Sequence, residues 1–310
     1  MSIRSVSQEL QAKAIKELNE DVSRIPEDLA YIKNWLKQTK HINARTDDQW
    51  LLSFLRGCKF SLERTKEKLE MYYTMKTICP EFYNNRDPFS PEIQKILKSG
   101  CYLPLPQTQS PDSPRIVLLR NGSFDPNEIN IADLMKSNML IQDIMINEDD
   151  NFIIAGGIMI QDMKGSTMAH MTAMTPSIVK KSMTVFQEAC PTRPKAGHFI
   201  NIPSFFDAMF NMMKPFLNEK MKKRMVVHST DNLEELYKTV PKEILPKEYG
   251  GDGPTLQELT DYWKTKVESY KNWFKEDAKY KSDESKRPGK PKTSADYFGM
   301  EGSFRKLNID

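Results

Sequence analysis

An α/β protein with an all-helical N-terminal region is predicted by three features of the sequence. Charged and apolar residues alternate at helical spacing through roughly the first 80 residues. From about residue 95, short apolar runs alternate with amphipathic segments, the pattern of βαβ units and a mostly parallel sheet. A last amphipathic segment follows residue 254. The 310 residues suffice for one large or two ordinary domains around a substantial core. The expected divisions are a helical domain over 1–85, an α/β domain over 95–253, and a C-terminal helix and tail over 254–310.

In the helical region, Leu10, Ile15 and Leu18 share one face, as do Ile32, Trp35 and Leu36. Thr46 and Gln49 have capping-box spacing ahead of WLLSFLR, which Gly57 closes. Ser61 opens a helix that buries Leu62, Leu69, Tyr72 and Met75, and Cys79-Pro80 ends the run. Strands are expected at RIVLLR (115–120), FIIAGGIMIQ (152–161), HFINI (198–202) and RMVVHS (224–229). Helices are expected at 127–147, at 175–190 behind Thr175-Pro176, and at 204–217 with Ser204 as cap. Leu256, Leu259, Trp263 and Val267 predict the final helix. Residues 280–295 have the composition of a solvated linker, and DYFGMEGSFRKL (296–307) regains enough aromatic character to dock back.

Charges nearly cancel, 45 basic against 42 acidic, so any electrostatic function must come from local clustering. The four cysteines lack metal-like spacing, and neither a signal-type apolar segment nor a run of membrane-spanning length is present. A cytoplasmic chain with free thiols and no metal is expected. Phosphate-loop, dinucleotide-fold, nucleophile-elbow and HExxH motifs are all absent. Asp162 heads a loop, where a lone carboxylate serves either as a loop-fixing acceptor or as a catalyst. His198 and His228 would meet if their strands pair, with Cys190 of the preceding helix nearby, which leaves a thiol enzyme as a minority reading beside the non-enzymatic one. Basic residues do not interleave with stacking aromatics, so nucleic acid is not expected as a partner. Met is abundant, 18 residues concentrated between 135 and 225, either as an adaptable apolar surface or in place of core Leu.

The segment SFFDAMFNMMKPFLNEKMKKR (204–224) is the most unusual. On a wheel of about 100° per residue its apolar side chains sweep roughly 200°, about twice what packing on a sheet requires. The excess needs a second apolar neighbour: another helix, a bound hydrophobic molecule or lipid. Lys220, Lys222, Lys223 and Arg224 directly precede one predicted strand, and Arg193 and Lys195 precede another. Parallel neighbours about 4.8 Å apart would bring these cations to one sheet edge, where a polyanion would relieve their repulsion. A scattered, solvated surface is the alternative.

FLRGCKF (54–60), TPSIVKK (175–181), HFINIPSFFDAMFNMMKPFL (198–217) and ILPKEYGG (244–251) together resemble the CRAL-TRIO family over roughly residues 25–275. The similarity is greatest to the branch that holds the tocopherol and retinaldehyde carriers, and to its insect members. The resemblance implies an N-terminal helical domain and an α/β lipid-binding domain whose apolar cavity is closed by a helical gate. Gate positions would be Phe205, Phe206, Met209, Phe210, Met213, Phe216 and Leu217. Cavity positions would be Met135, Asn138, Gln142, Ile158, Ile160, Val179, Ser182, Val185 and Phe186. Asn138 and Gln142 are four residues apart on one helical face, able to hydrogen-bond a cargo oxygen. Headgroups of phosphatidylinositol bisphosphate would meet Arg193, Lys195, Lys220 and Arg224, with Lys59 standing in because Cys58 replaces a family arginine. The implied function is binding and transfer of a hydrophobic small molecule or lipid, by a cytoplasmic monomer that visits phosphoinositide-bearing membranes such as endosomes. A phosphoinositide-dependent adaptor with a vestigial or lipid-sensing cavity is the other reading. No cofactor is expected beyond the bound ligand.

Overall fold

Helices occupy the chain up to residue 99: α1 (Gln8–Leu18), α2 (Ile25–Gln38), α3 (Asp48–Gly57), α4 (Leu62–Ile78), α5 (Pro80–Tyr83) and α6 (Pro91–Ser99). The computed structural model describes residues 3–228 and 233–299. Ser7 caps α1 by accepting a hydrogen bond from the Leu10 N–H at 3.1 Å, and prolines open α5 and α6. The capping box expected at Thr46 and Gln49 does not form. Asp47 is the N-cap of α3, and Gln49 is drawn to longer-range partners, accepting from the Arg4 N–H at 2.9 Å and donating to Asp150 at 3.2 Å. Trp50, Leu51, Leu52, Phe54 and Leu55 are all fully buried, which makes α3 the hub of the helical region.

A five-stranded sheet follows, in the order β1 (Tyr102–Pro104), β2 (Arg115–Arg120), β3 (Gly157–Asp162), β4 (Pro194–Ile200) and β5 (Met225–Val227). Only the β1–β2 pairing is antiparallel. The strands are linked by α7 (Ile131–Glu148), α8 (Asp150–Ile154), α9 (Met168–Ala173), α10 (Pro176–Thr184), α11 (Phe206–Met213) and α12 (Glu219–Lys222). Beyond β5 come α13 (Glu234–Tyr237), α14 (Leu256–Ser269), α15 (Lys271–Asp277) and α16 (Ser294–Phe298).

Several expectations shift. The apolar run 152–161 is not one strand. Asp149 caps α8 through the Phe152 N–H at 3.0 Å, Gly156 turns the chain at φ +93°, and only then does β3 begin. β1 escapes notice because three residues cannot display an alternation. The helix over 175–190 is α10 followed by a π-helical turn, Val185–Ala189. Ser204 does not cap α11; Phe205 holds that place without a side-chain bond, and Pro215 diverts the end into a 3₁₀ turn, Lys214–Phe216. The supposed linker 280–295 is tied down. Ser282 bridges Ile42, and Arg287 donates to Thr74 at 2.8 Å while pairing with Glu70 and Glu284. α16 packs on α10, so the tail docks as far as it is described; 300–307 lies outside the described residues.

A buried ionic network joins the helical region to the rest. Arg86 pairs with Asp143 of α7 at 2.5 Å and with Asp277 of α15 at 3.1 Å. Lys76 reaches Asp277 at 2.6 Å, and the Tyr72 hydroxyl donates to Asp143 at 3.0 Å. Arg86, Asp143 and Asp277 are all at most 6% exposed. Such pairs specify one arrangement of the segments they join more than they add net stability.

Candidate functional site

Between α7, the sheet and the α9–α11 segment lies a chamber of about 220 Å³. Eleven of its 29 lining residues are methionines, including Met159 on β3, Met209 and Met213 on α11, and Met225 on β5. The methionine enrichment is thus largely a wall of pliable side chains around a void, where their unbranched stems suit an irregular guest. Met135, Asn138, Gln142, Val179, Ser182 and Phe186 all lie in this wall.

Ile158, Ile160 and Val185 do not. Side chains alternate across a strand, so β3 turns Met159 and Gln161 to the chamber and Ile158 and Ile160 to the opposite face. A one-residue slip in assigning the strand exchanges the two sets. Val185 is wholly buried at the start of the π-helical turn, where a wheel of constant 100° steps no longer holds. The sequence reading also missed Tyr102, which enters the wall from the unforeseen β1, and His170.

Polar groups are few and mostly engaged. Ser182 donates to the Ile178 carbonyl at 2.8 Å, Asn121 donates to Gln161 at 2.9 Å, and His170 lies 2.9 Å from the Phe124 carbonyl. Asn138 accepts a long contact from the Cys101 thiol at 3.9 Å. The Gln142 Nε2 and the Tyr102 hydroxyl are buried without a hydrogen-bond partner. Gln142 lies against the Cys190 thiol, a weak sulfur acceptor at best.

α11 presents two kinds of contact to the interior. Phe205, Met209 and Met213 line the chamber. Phe206 and Phe210 instead stack at 5.7 Å and meet Phe199 of β4 edge-on, at 5.1 and 5.8 Å. Leu217 is buried, and the carbonyl of the half-buried Phe216 accepts from Gln187 at 2.8 Å. Asp207, Ala208, Asn211 and Lys214 face outward.

At one end of α11's sheet edge the predicted cations meet. The parallel register sets Gly197 against Met225, which places Arg193 and Lys195 beside Arg224. The Arg224 guanidinium donates to the Pro194 carbonyl, and that of Arg193 to the Ile154 carbonyl. The pKa of Lys220 is lowered by burial and then by the charges of Arg224, Lys59, Arg193 and Arg64. Mutual depression of this kind is what convergent cations produce. Cys58 is buried, donates to the Arg64 carbonyl at 3.4 Å, and has its thiol pushed up by burial. Lys59 turns outward at φ +55°. Arg64 joins the cluster unforeseen. Two carboxylates meet these cations. Glu219 pairs with Lys222 at 2.7 Å, and Glu17 of α1 lies 3.2 Å from Lys195 and 3.4 Å from Arg193. A carboxylate so distant in sequence leaves no local signal.

The thiol-enzyme geometry does not assemble. His198 and His228 meet each other, Nδ1 to Nε2 at 2.9 Å, while Cys190 is buried among Gln142, Asp143 and Lys68, and burial pushes its thiol up to about 12. Asp162 acts as a loop-fixing acceptor, taking bonds from the Lys164 N–H at 2.9 Å, from Asn201 at 2.8 Å and from the Tyr249 hydroxyl. It sits in a wider surface cleft of about 530 Å³, with Ile160 also in the wall. Among the described residues there is no metal-type cluster, and no helix is long and apolar enough to cross a membrane.

The fold belongs to a recognised class: residues 105–251 match the CRAL/TRIO domain and residues 21–93 a Pinta-like UBA domain. The chain is 31% identical over 257 residues to the alpha-tocopherol transfer protein-like protein of Homo sapiens, covering 83% of this chain and 74% of that one. It is also 29% identical over 243 residues to clavesin-1 of Rattus norvegicus, covering 78% and 68%. The chain is therefore a member of the CRAL/TRIO family. Among solved structures it is similar in fold to Sfh5, with a TM-score of 0.50 at 14% identity over 83% of this chain and 92% of that one.

Proposed function

We propose that this protein binds a hydrophobic small molecule or lipid, of tocopherol or retinoid type, in the methionine-lined chamber and transfers it between membranes without covalent chemistry. α11 is the gate, and phosphoinositide headgroups dock on Arg193, Lys195, Lys220, Arg224 and Lys59. The protein acts as a cytoplasmic monomer that touches phosphoinositide-bearing membranes, endosomes among them. The observation that carries this reading is the continuity of one short segment. α11 walls the chamber with Phe205, Met209 and Met213, and the same chain reaches the cationic edge at Lys220 and Arg224. A headgroup bound at that edge would bring the apolar side of α11 to the bilayer as it swings out. A relative named for alpha-tocopherol transfer supports a lipid cargo. Burying some ~400 Å² of apolar cargo yields roughly 10 kcal/mol before ordering costs.

Native mass spectrometry of the purified protein is expected to show one apolar guest per chain. An empty chamber with headgroup binding retained would turn the reading toward a phosphoinositide-dependent adaptor. Lys220 has no ion-pair partner among the described residues, so Lys220→Glu is expected to leave cargo binding intact. Transfer to vesicles containing phosphatidylinositol bisphosphate should slow about tenfold. Unchanged transfer rates in this variant would remove the cationic edge from the mechanism.

A further inference from the structure

The cationic edge already holds an anion supplied by the protein itself. Glu17 approaches Lys195 at 3.2 Å and Arg193 at 3.4 Å, and also lies 3.5 Å from Lys13 of its own helix. Lys59, Arg64 and Lys220, beside the same edge, have no carboxylate partner among the described residues. Burial raises the Glu17 pKa, but the surrounding Lys195, Lys13 and Arg193 outweigh it and hold the carboxyl ionised.

The helix that carries Glu17 is a separate attachment. Leu10, Ala14 and Leu18 pack on Ile154 and Ala155 in a small apolar cluster apart from the main core. Glu20, wholly buried, pairs with Arg56 at 2.9 Å and fixes the end of α1, so Glu17 is held over the cations by its backbone. Its own side chain remains 34% exposed, in reach of an arriving competitor.

We propose that Glu17 is a built-in counter-anion that any headgroup must displace from Arg193 and Lys195, and that it thereby sets the charge the membrane surface has to offer. This rests on the phosphoinositide reading given above and refines it. A headgroup with a single phosphate exchanges one negative charge for another and gains little. A headgroup with several phosphates replaces Glu17 and still engages Lys220, Arg224, Lys59 and Arg64, which no carboxylate meets among the described residues. Glu17 thus sets a threshold that a singly charged headgroup does not clear.

The test compares native protein, Glu17→Gln and Glu9→Gln by sedimentation with two vesicle types of equal total charge, one containing phosphatidylinositol bisphosphate and one phosphatidylserine. Glu9 is exposed on the same helix, about two turns before Glu17, and pairs with no cation among the described residues, so its variant changes net charge equally. Because every headgroup displaces the same carboxylate, Glu17→Gln is expected to tighten binding to both vesicle types about fivefold, the worth of one part-exposed ion pair. Vesicles too poor in negative charge to hold the native protein therefore hold Glu17→Gln, and Glu9→Gln behaves as the native protein. Soluble inositol bisphosphate should also bind Glu17→Gln more tightly, because the competition is for the site itself. Unchanged affinity in Glu17→Gln, an equal shift in Glu9→Gln, or tightening confined to vesicles would overturn the role of Glu17 while leaving the headgroup site standing. Absence of binding to either vesicle by native and Glu17→Gln proteins alike would overturn both.

Discussion

The junction between the helical region and the sheet differs from the chamber in almost every physical respect. At the junction Trp50, Phe54, Tyr72 and Tyr73 interlock with ring centroids 5.2–5.8 Å apart, and Lys76, Arg86, Asp143 and Asp277 neutralise one another out of water. Rigid rings and ion pairs admit a single arrangement. The chamber is walled by flexible thioethers, leaves a void, and carries buried donors without acceptors. One region is specified to hold its shape and the other to accept a guest. Stability and binding are thereby separated in space, so a substitution should affect one far more than the other.

The largest effect is expected at the junction. Asp277→Asn leaves Lys76 and Arg86 buried without their shared carboxylate, and should lower unfolding free energy by about 3–5 kcal/mol in a urea titration. Met213→Ala in the chamber wall should cost about 1 kcal/mol, since the void already limits the packing that is lost. Equal losses in the two variants would dissolve the distinction.

The sequence exposed these two regions unequally. Wide apolar coverage and adjacent cations in 204–224 announced α11 and half of the basic edge, because both are properties of contiguous residues. The β3 face was misread because Ala155-Gly156-Gly157 reads as part of one apolar run, although Asp149 and Gly156 end a helix there. Val185 failed for a related reason, a π-helical turn that local composition does not betray. Nothing local could announce Glu17 against Arg193, or Arg86 between Asp143 and Asp277. These contacts join residues 176, 57 and 191 positions apart, and exist only once the fold brings the elements together.

An intermediate effect should appear with pH on the face of the sheet opposite the chamber, where His198 lies beside Ile160. Burial first, and the charge of His228 second, lower the His198 pKa from 6.5 to about 4. Between those values the unfolded chain binds a proton that the folded chain refuses. Stability therefore falls as pH drops from 6.5 toward 4, by about 3 kcal/mol for this group. Unfolding midpoints across that range should slope less steeply in His198→Gln than in the native protein. An identical slope would assign the acid sensitivity to other groups.

The smallest expected change in stability, and the one that separates binding from folding most sharply, is at Gln142. Its Nε2 is buried without a hydrogen-bond partner, a defect worth about 1 kcal/mol to the ligand-free protein. Gln142→Leu removes that donor at similar volume and should raise the unfolding free energy of cargo-free protein by about 1 kcal/mol. The same substitution should weaken cargo about tenfold if a cargo oxygen is the partner the amide awaits, as measured by displacement of a fluorescent apolar probe. A gain in stability with a loss of affinity identifies the empty donor as a cost the ligand-free fold bears for recognition. If affinity instead rises with stability, the chamber selects cargo by shape and apolar area, and its amide is incidental.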